Sequence, residues 1–311
     1  MRHACLGVTA AMRSSLPPRA ILGWFDVHER DLPWRDPACS AWHILISEIM
    51  LQQTPVSRVI DPWREWVRRW PVPSAMADAP AGEVLRAWGK LGYPRRALRL
   101  HECAKVLARE HDDRVPADVE TMLSLPGIGD YTARAVACFA YGQAVPVVDT
   151  NVRRVIARAV HGREQPGNPG RADLADAQAL LPRASSGGYA PTAPRYSAAL
   201  MELGALVCTA RNPRCGDCPV PDCTWVRLGR PPHSGPPRKV QKFAGTDRQV
   251  RGLLLDVLRG TDAPVNRGRL DLAWTTDTAQ RDRALDSLLV DGLVEITDDG
   301  RYCLAGESPD R

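Results

Sequence analysis

The chain has 311 residues, the length of about two domains, and its 44% hydrophobic and 25% charged residues match a soluble protein able to bury a sizeable core. No apolar run approaches the roughly 20 residues that cross a bilayer, so no membrane-spanning helix is expected. The interrupted start MRHACLGVTAAMRSS does not read as a signal peptide, and a cytoplasmic location follows as an expectation. The net charge of +5 is unevenly placed: residues 247–311 hold nine Lys+Arg against thirteen Asp+Glu, and the first 246 hold 32 against 23. A polyanionic partner is therefore expected on the front of the molecule. Of the 41 cations 37 are Arg, a skew that fits phosphate recognition and genome composition equally well.

From Arg19 to Val226 the pattern is helical almost throughout, with apolar residues repeating at three and four over Val56–Trp70, Ala81–Trp88, Ala97–Glu110 and Val152–Val160. Pro- and Gly-bearing breaks at 71–74, 115–118, 125–129 and 144–149 separate about ten short helices, an all-α front. Glu48, in WHILISEIMLQQTPV, falls on or beside the apolar stripe of its helix. A carboxylate there is expected to have a raised pKa, as a general acid near neutral pH requires. An edge position paired with an Arg is the plainer alternative.

The segment LPGIG (Leu125–Gly129) lies between two helical stretches. Gly127 and Gly129 permit a tight turn, and the free N–H groups of the next helix would face outward toward a phosphate. A simple interhelical turn fits as well. Asp149 follows VPVV and precedes NVRRVIARAV, the place of an N-cap. Such a cap is also a fixed, ionised carboxylate. Glu48 and Asp149 in unlike environments, one protonated and one charged, form the kind of pair that breaks glycosidic bonds.

Nine cysteines divide into five scattered ones and a group, Cys208, Cys215, Cys218 and Cys223, with spacing C-x6-C-x2-C-x4-C. In a reducing compartment such a group argues for metal rather than disulfides, and four thiolates suit either tetrahedral zinc or an iron–sulfur cubane. Residues 226–246, rich in Pro and Gly, read as a linker. Beyond it Asp247–Arg259, Asn266–Leu270 and Thr278–Val290 read as helices, and Gly292–Thr297 and Arg301–Leu304 flank the turn signal Asp299-Gly300. Three helices and a hairpin suggest a winged-helix-like α+β domain over 247–311.

Seven ordered motifs are similar to those of the MutY-type adenine-specific DNA glycosylases, within the endonuclease III-like helix–hairpin–helix superfamily. They are LPWR (32–35), SEIMLQQT (47–54), LGY (91–93), LPGIGDYTA (125–133), VVDTNVRRV (147–155), MELGALVC (201–208) and the cysteine group. The resemblance spans about residues 19–225. It implies a six-helix barrel domain over 43–150 and an iron–sulfur domain from 19–42 plus 151–225, with DNA in the cleft between them and the adenine flipped out of the duplex. It implies that Glu48 protonates adenine N7 and that Asp149 stabilises the oxocarbenium-like sugar. Gln52, Gln53 and Tyr93 match positions that fill the gap in the duplex and press on the opposite base, while Trp34 and Arg35 match the lining of the adenine pocket. The clustered cysteines match the ligands of a 4Fe–4S cluster, whose loop offers Arg211 and Arg214 to phosphates.

Relatives with lyase activity carry a Schiff-base lysine two residues after the last Gly of LPGIG, where this chain has Tyr131. With Tyr131 completing the catalytic set, the resemblance implies a monofunctional enzyme acting on adenine opposite 8-oxoguanine or guanine in double-stranded DNA, a monomer associated with the nucleoid. The alternatives are an endonuclease III-like pyrimidine glycosylase with lyase activity, which Tyr131 disfavours, and a non-catalytic iron–sulfur DNA-binding protein, which has no need of both carboxylates. Three departures stand out. The last cysteine gap is four residues where relatives usually have five. Ala198 replaces a Gln or Glu near the adenine edge. The winged-helix-like tail stands where many relatives carry a Nudix-like domain that reads 8-oxoguanine. Its net charge of −4 predicts packing on the core or contact with a protein partner, with Arg281 and Arg283 the cations left for any DNA role.

Overall fold

The computed structural model describes Met12 and residues 14–235 and 243–309. The chain divides into two compact units, Met1–Leu32, Ala117–Val119 and Gly129–Pro237 in one, and Pro33–Pro116, Glu120–Ile128 and Arg238–Arg311 in the other. No helix among the described residues is long and apolar enough to cross a membrane.

In the first unit, helix Ala193–Leu206 is the central element, packed on one side by Pro18–His28 and on another by Thr150–Ala159. Ile21, Phe25, Val152, Val155, Tyr196, Ala199 and Leu203 are buried together. The buried Tyr196 hydroxyl donates to the Leu16 carbonyl at 2.8 Å, so a large aromatic enters the core with its polar tip satisfied. Helix Arg171–Leu180 is absent from the periodicity reading because only Ala177 and Leu180 are buried, too few to print a stripe.

Residues 33–116 of the second unit are built on tryptophans. Trp66 meets Trp70 and Trp88 edge-on at 4.9 and 5.4 Å. The indole N–H groups of Trp42, Trp63 and Trp66 donate to the carbonyls of Trp70, His43 and Ala87. The stretch 56–70 is not one helix: a 3-10 turn, Val56–Arg58, precedes helix Ile60–Arg69, since Pro55 starts the turn and Pro62 suits only a helix's first residues.

The tail forms helices Asp247–Arg259, Arg267–Asp271 and Thr278–Val290, followed by antiparallel strands Val294–Ile296 and Tyr302–Leu304, with Val294 opposite Leu304. Gly300, at φ 79°, makes the turn. Val265 bridges to Tyr302, adding a third short strand segment. The tail packs on helix Ala81–Trp88. The Arg86 guanidinium forks onto Glu307 at 2.9 and 2.7 Å and also donates to the carbonyls of Leu258 and Arg259. The expected linker is only partly open chain: Thr224–Arg227 is a short helix, and Trp225 Nε1 donates to Pro231. Residues 236–242 of that stretch lie outside the described residues.

Candidate active site and iron–sulfur centre

Helix Ala41–Leu51 begins at Ser40, whose hydroxyl accepts from the His43 amide. Trp42 and every residue from Ile44 to Met50 are buried, so Glu48, 5% exposed, sits on a helix with almost no solvent face. Just beyond it, Gln53 has φ 55°, and across the same unit Tyr93 has φ 47°. Both are non-glycine residues in the left-handed region, a conformation that costs energy and persists where neighbours enforce it.

Arg96 is that neighbour. One guanidinium nitrogen donates to the carbonyls of Ile49, Met50 and Gln52 at 2.8, 3.1 and 2.5 Å, and the other to Thr54 Oγ1 and Gly92 at 3.0 Å each. It thereby satisfies the orphan carbonyls at the end of helix Ala41–Leu51 and ties them to the Leu91–Gly92–Tyr93 turn. Its plane lies near Trp88 and Tyr93, and burial pulls its pKa down to about 10, which leaves it charged at neutral pH. Sequence reasoning missed Arg96. The available signal is a cation in register with the buried Leu100, Cys103 and Leu107 of its own helix.

Trp34 lies buried in a 3-10 turn, Pro33–Arg35, and meets Trp63 edge-on at 5.8 Å; Arg35 is half-buried beside it in sequence. In the hairpin, Leu125 and Ile128 are buried and the Ile128 amide donates to the Leu125 carbonyl. Gly127 has φ 76°, and a Cβ there would lie 2.7 Å from Arg99 Cβ. Gly129 has ordinary extended angles and caps helix Asp130–Tyr141, with nothing within 4 Å of an added Cβ. Tyr131, on the first turn of that helix, is half-buried and packs beside Ala135, Cys138 and Val147.

Asp149 caps helix Thr150–Ala159 as expected: Oδ1 accepts from the Val152 amide at 2.7 Å and Oδ2 from the Asn151 side-chain amide at 2.8 Å. Burial pushes the Asp149 pKa up, opposed by those hydrogen bonds and by Arg154. Asn151 Oδ1 in turn accepts from Arg154, which also donates to the carbonyls of Gly204 and Cys208, each bond 2.7 Å. Arg158, one turn on, donates to Thr209 and to the Cys208 sulfur at 3.5 Å and lies over Trp225. Neither arginine was singled out from sequence, because both occur in an amphipathic helix where Arg ordinarily faces water.

Cys215 opens a 3-10 turn, Cys218 ends it, and Cys223 caps Thr224–Arg227. Burial pushes the Cys218 thiol up to about 11, and the nearby Cys208, Cys223 and Cys215 push the same way. Among the described residues no group of three or more His, Cys, Asp or Glu draws tight enough to hold a single ion. By donor chemistry four thiols suit tetrahedral zinc or an iron–sulfur cubane.

A profile described as HhH-GPD superfamily base excision DNA repair protein matches residues 46–170, and one described as iron-sulfur binding domain of endonuclease III matches 208–220. Fold and site thus define a helix–hairpin–helix DNA-repair protein, a DNA-binding enzyme whose cofactor is a 4Fe–4S cluster. The adenine DNA glycosylase of Mycobacterium tuberculosis is 64% identical over 288 residues, covering 92% of this chain and 93% of that one. The human adenine DNA glycosylase is 40% identical over 215 residues, covering 65% of this chain and 37% of that one. The chain belongs to the adenine DNA glycosylase family. Among solved structures, a thermostable thymine-DNA glycosylase superposes with a TM-score of 0.62 at 29% identity, over 70% of this chain and 97% of that one. An endonuclease III–DNA complex superposes at 0.56 and 20% identity, over 69% and 95%, a likeness of fold.

Proposed function

We propose that the chain hydrolyses the N-glycosidic bond of adenine placed opposite 8-oxoguanine or guanine in duplex DNA, as a monofunctional glycosylase that leaves an abasic site. The observation that carries this reading is the unlike setting of two carboxylates, Glu48 on a helix with almost no solvent face and Asp149 hydrogen-bonded at a helix N-terminus. A carboxyl in surroundings like those of Glu48 suits proton donation to adenine N7, which makes the base a neutral leaving group. Asp149, ionised, stabilises the positive sugar that remains until water adds to it. Tyr131 has no amine for a Schiff base, so the abasic strand stays intact.

Gln52, Gln53 and Tyr93 would fill the gap left by the flipped base, Leu125, Gly127 and Gly129 would present backbone to a phosphate, and Trp34 and Arg35 would line the adenine pocket. In this reading 43–150 is the barrel domain, 19–42 with 151–225 the cluster domain, and 247–311 an accessory domain, and the enzyme acts as a monomer on the nucleoid. Cys208, Cys215, Cys218 and Cys223 would hold the cluster, which braces their loop when bound.

The test is single-turnover cleavage of duplexes bearing 8-oxoguanine·A, G·A, G·T or G·U, with and without alkali, beside Glu48→Gln. Alkali-dependent breaks at adenine, lost in the variant, are expected. Alkali-independent breaks, or cleavage at T or U in preference to A, would overturn the reading.

A further inference from the structure

The tail is acidic, and its described arginines are largely spent internally. Arg251 pairs with Asp291, Arg259 with Asp256, Arg267 and Arg281 with Asp271 and Asp282, Arg283 with Asp247 at 3.7 Å and Arg301 with Asp299. Arg281, a cation the sequence left for DNA, is buried in this network. Among the described residues no carboxylate pairs with Arg248 or Arg269, and both are exposed.

Arg248 has a specific place. It lies in the first turn of helix Asp247–Arg259, and its guanidinium sits 4.2 Å from the centroid of the Tyr93 ring, within the same compact unit. Tyr93 is 40% exposed and held in a left-handed conformation by the turn that Arg96 anchors. A guanidinium stacked on a ring keeps its in-plane N–H groups free, and these are the groups that fork onto a phosphate. The Arg86–Glu307 clasp fixes the tail on the barrel and so sets where Arg248 stands.

We propose that, among the described residues of the tail, Arg248 is the cation that joins DNA binding, engaging a backbone phosphate next to the base opposite the excised adenine while stacked on Tyr93. This rests on the assignment of Tyr93 to the opposite-base contact made above. The tail thus adds a single positioned charge to the reading head rather than a basic face, which reconciles a DNA role with its net −4.

The test is equilibrium binding across a salt series to an 8-oxoguanine duplex carrying a non-hydrolysable adenine analogue, using the full chain with Arg248→Ala, Arg248→Lys and Arg269→Ala. Arg248→Ala is expected to weaken binding roughly three- to tenfold and to lower the slope of log affinity against log salt by about one. Arg248→Lys restores the slope and Arg269→Ala changes neither quantity. Unaltered binding by Arg248→Ala, or weaker binding with an unaltered slope, would sink the proposal, the second result meaning that Arg248 only packs. Because binding is measured without excision, a wild-type chain that binds yet releases no adenine would defeat the proposed activity while leaving this test intact.

Discussion

Gly204 and Asn151 touch backbone to side chain: a Cβ built on Gly204 would lie 2.6 Å from Asn151 Cβ and 2.9 Å from the Asn151 carbonyl oxygen. Helix Ala193–Leu206 can approach the Asp149 cap this closely only because residue 204 has no side chain. Gly204→Ala must push Asn151 away, and with it the amide that donates to Asp149 Oδ2. Overpacking of this kind costs about 1–3 kcal/mol. A lowered melting temperature together with a slower single-turnover rate is expected; a lowered melting temperature with the rate intact would detach Asn151 from the alignment of Asp149.

If Asp149 acts as proposed, it makes stability and activity run in opposite directions with pH. Its folded-state pKa is raised, so the protonated form favours the fold, and that contribution is present at low pH and lost as pH rises through the folded pKa. In the proposed mechanism, activity needs the ionised form. Single-turnover rates are therefore expected to fall on acidification with a midpoint above the ordinary Asp value of about 3.9. Asp149→Asn keeps a good cap, so its unfolding free energy should shift by only a few tenths of a kcal/mol, while the rate drops by about 10²–10⁴. An Asn variant that unfolds early would show the carboxylate to be structural.

Arg96 joins two loops with one planar fork, which a lysine cannot reproduce. Arg96→Lys is expected to loosen the turns that carry Gln53 and Tyr93, weakening binding to mispaired duplex at least as much as loss of either side chain alone. Arg96→Met also strands buried carbonyls and should lower unfolding free energy by about 2 kcal/mol or more. Urea titrations read against duplex binding separate the two effects.

The two hairpin glycines should differ. Gly127→Ala meets both a left-handed φ and the Arg99 side chain, so the free protein itself should lose stability, by about 1 kcal/mol or more. Gly129→Ala meets neither, and a melting temperature near wild type is expected. If Gly129→Ala still weakens DNA binding, the glycine serves the close approach of a phosphate.

Much of this was legible because it is local. Helix periodicity, the cap at Asp149, the turn at Asp299–Gly300 and the spacing from Cys208 to Cys223 all declare themselves within a few residues. The burial of Glu48 was foreseen from its apolar neighbours. What sequence could not show depends on partners far along the chain: Arg96 is defined by carbonyls up to 47 positions away, Arg154 by Cys208, and Arg30 by a bidentate pair with the buried Glu202, 172 positions on. In composition all three are ordinary arginines, and only the fold reveals that their heads point at backbone or a buried carboxylate instead of water.

The clasp at Arg86 bears on how the chain can be cut and rebuilt. Where a Cβ on Gly82 would go, the Glu307 side chain already lies, itself gripped by Arg86. The tail is therefore retained by surface fit and charge, with the covalent connection through 226–246 a separate matter. A chain nicked in that stretch should keep its tail as a noncovalent fragment. A change at Gly82, Arg86 or Glu307 alone therefore disturbs the clasp that the other two form.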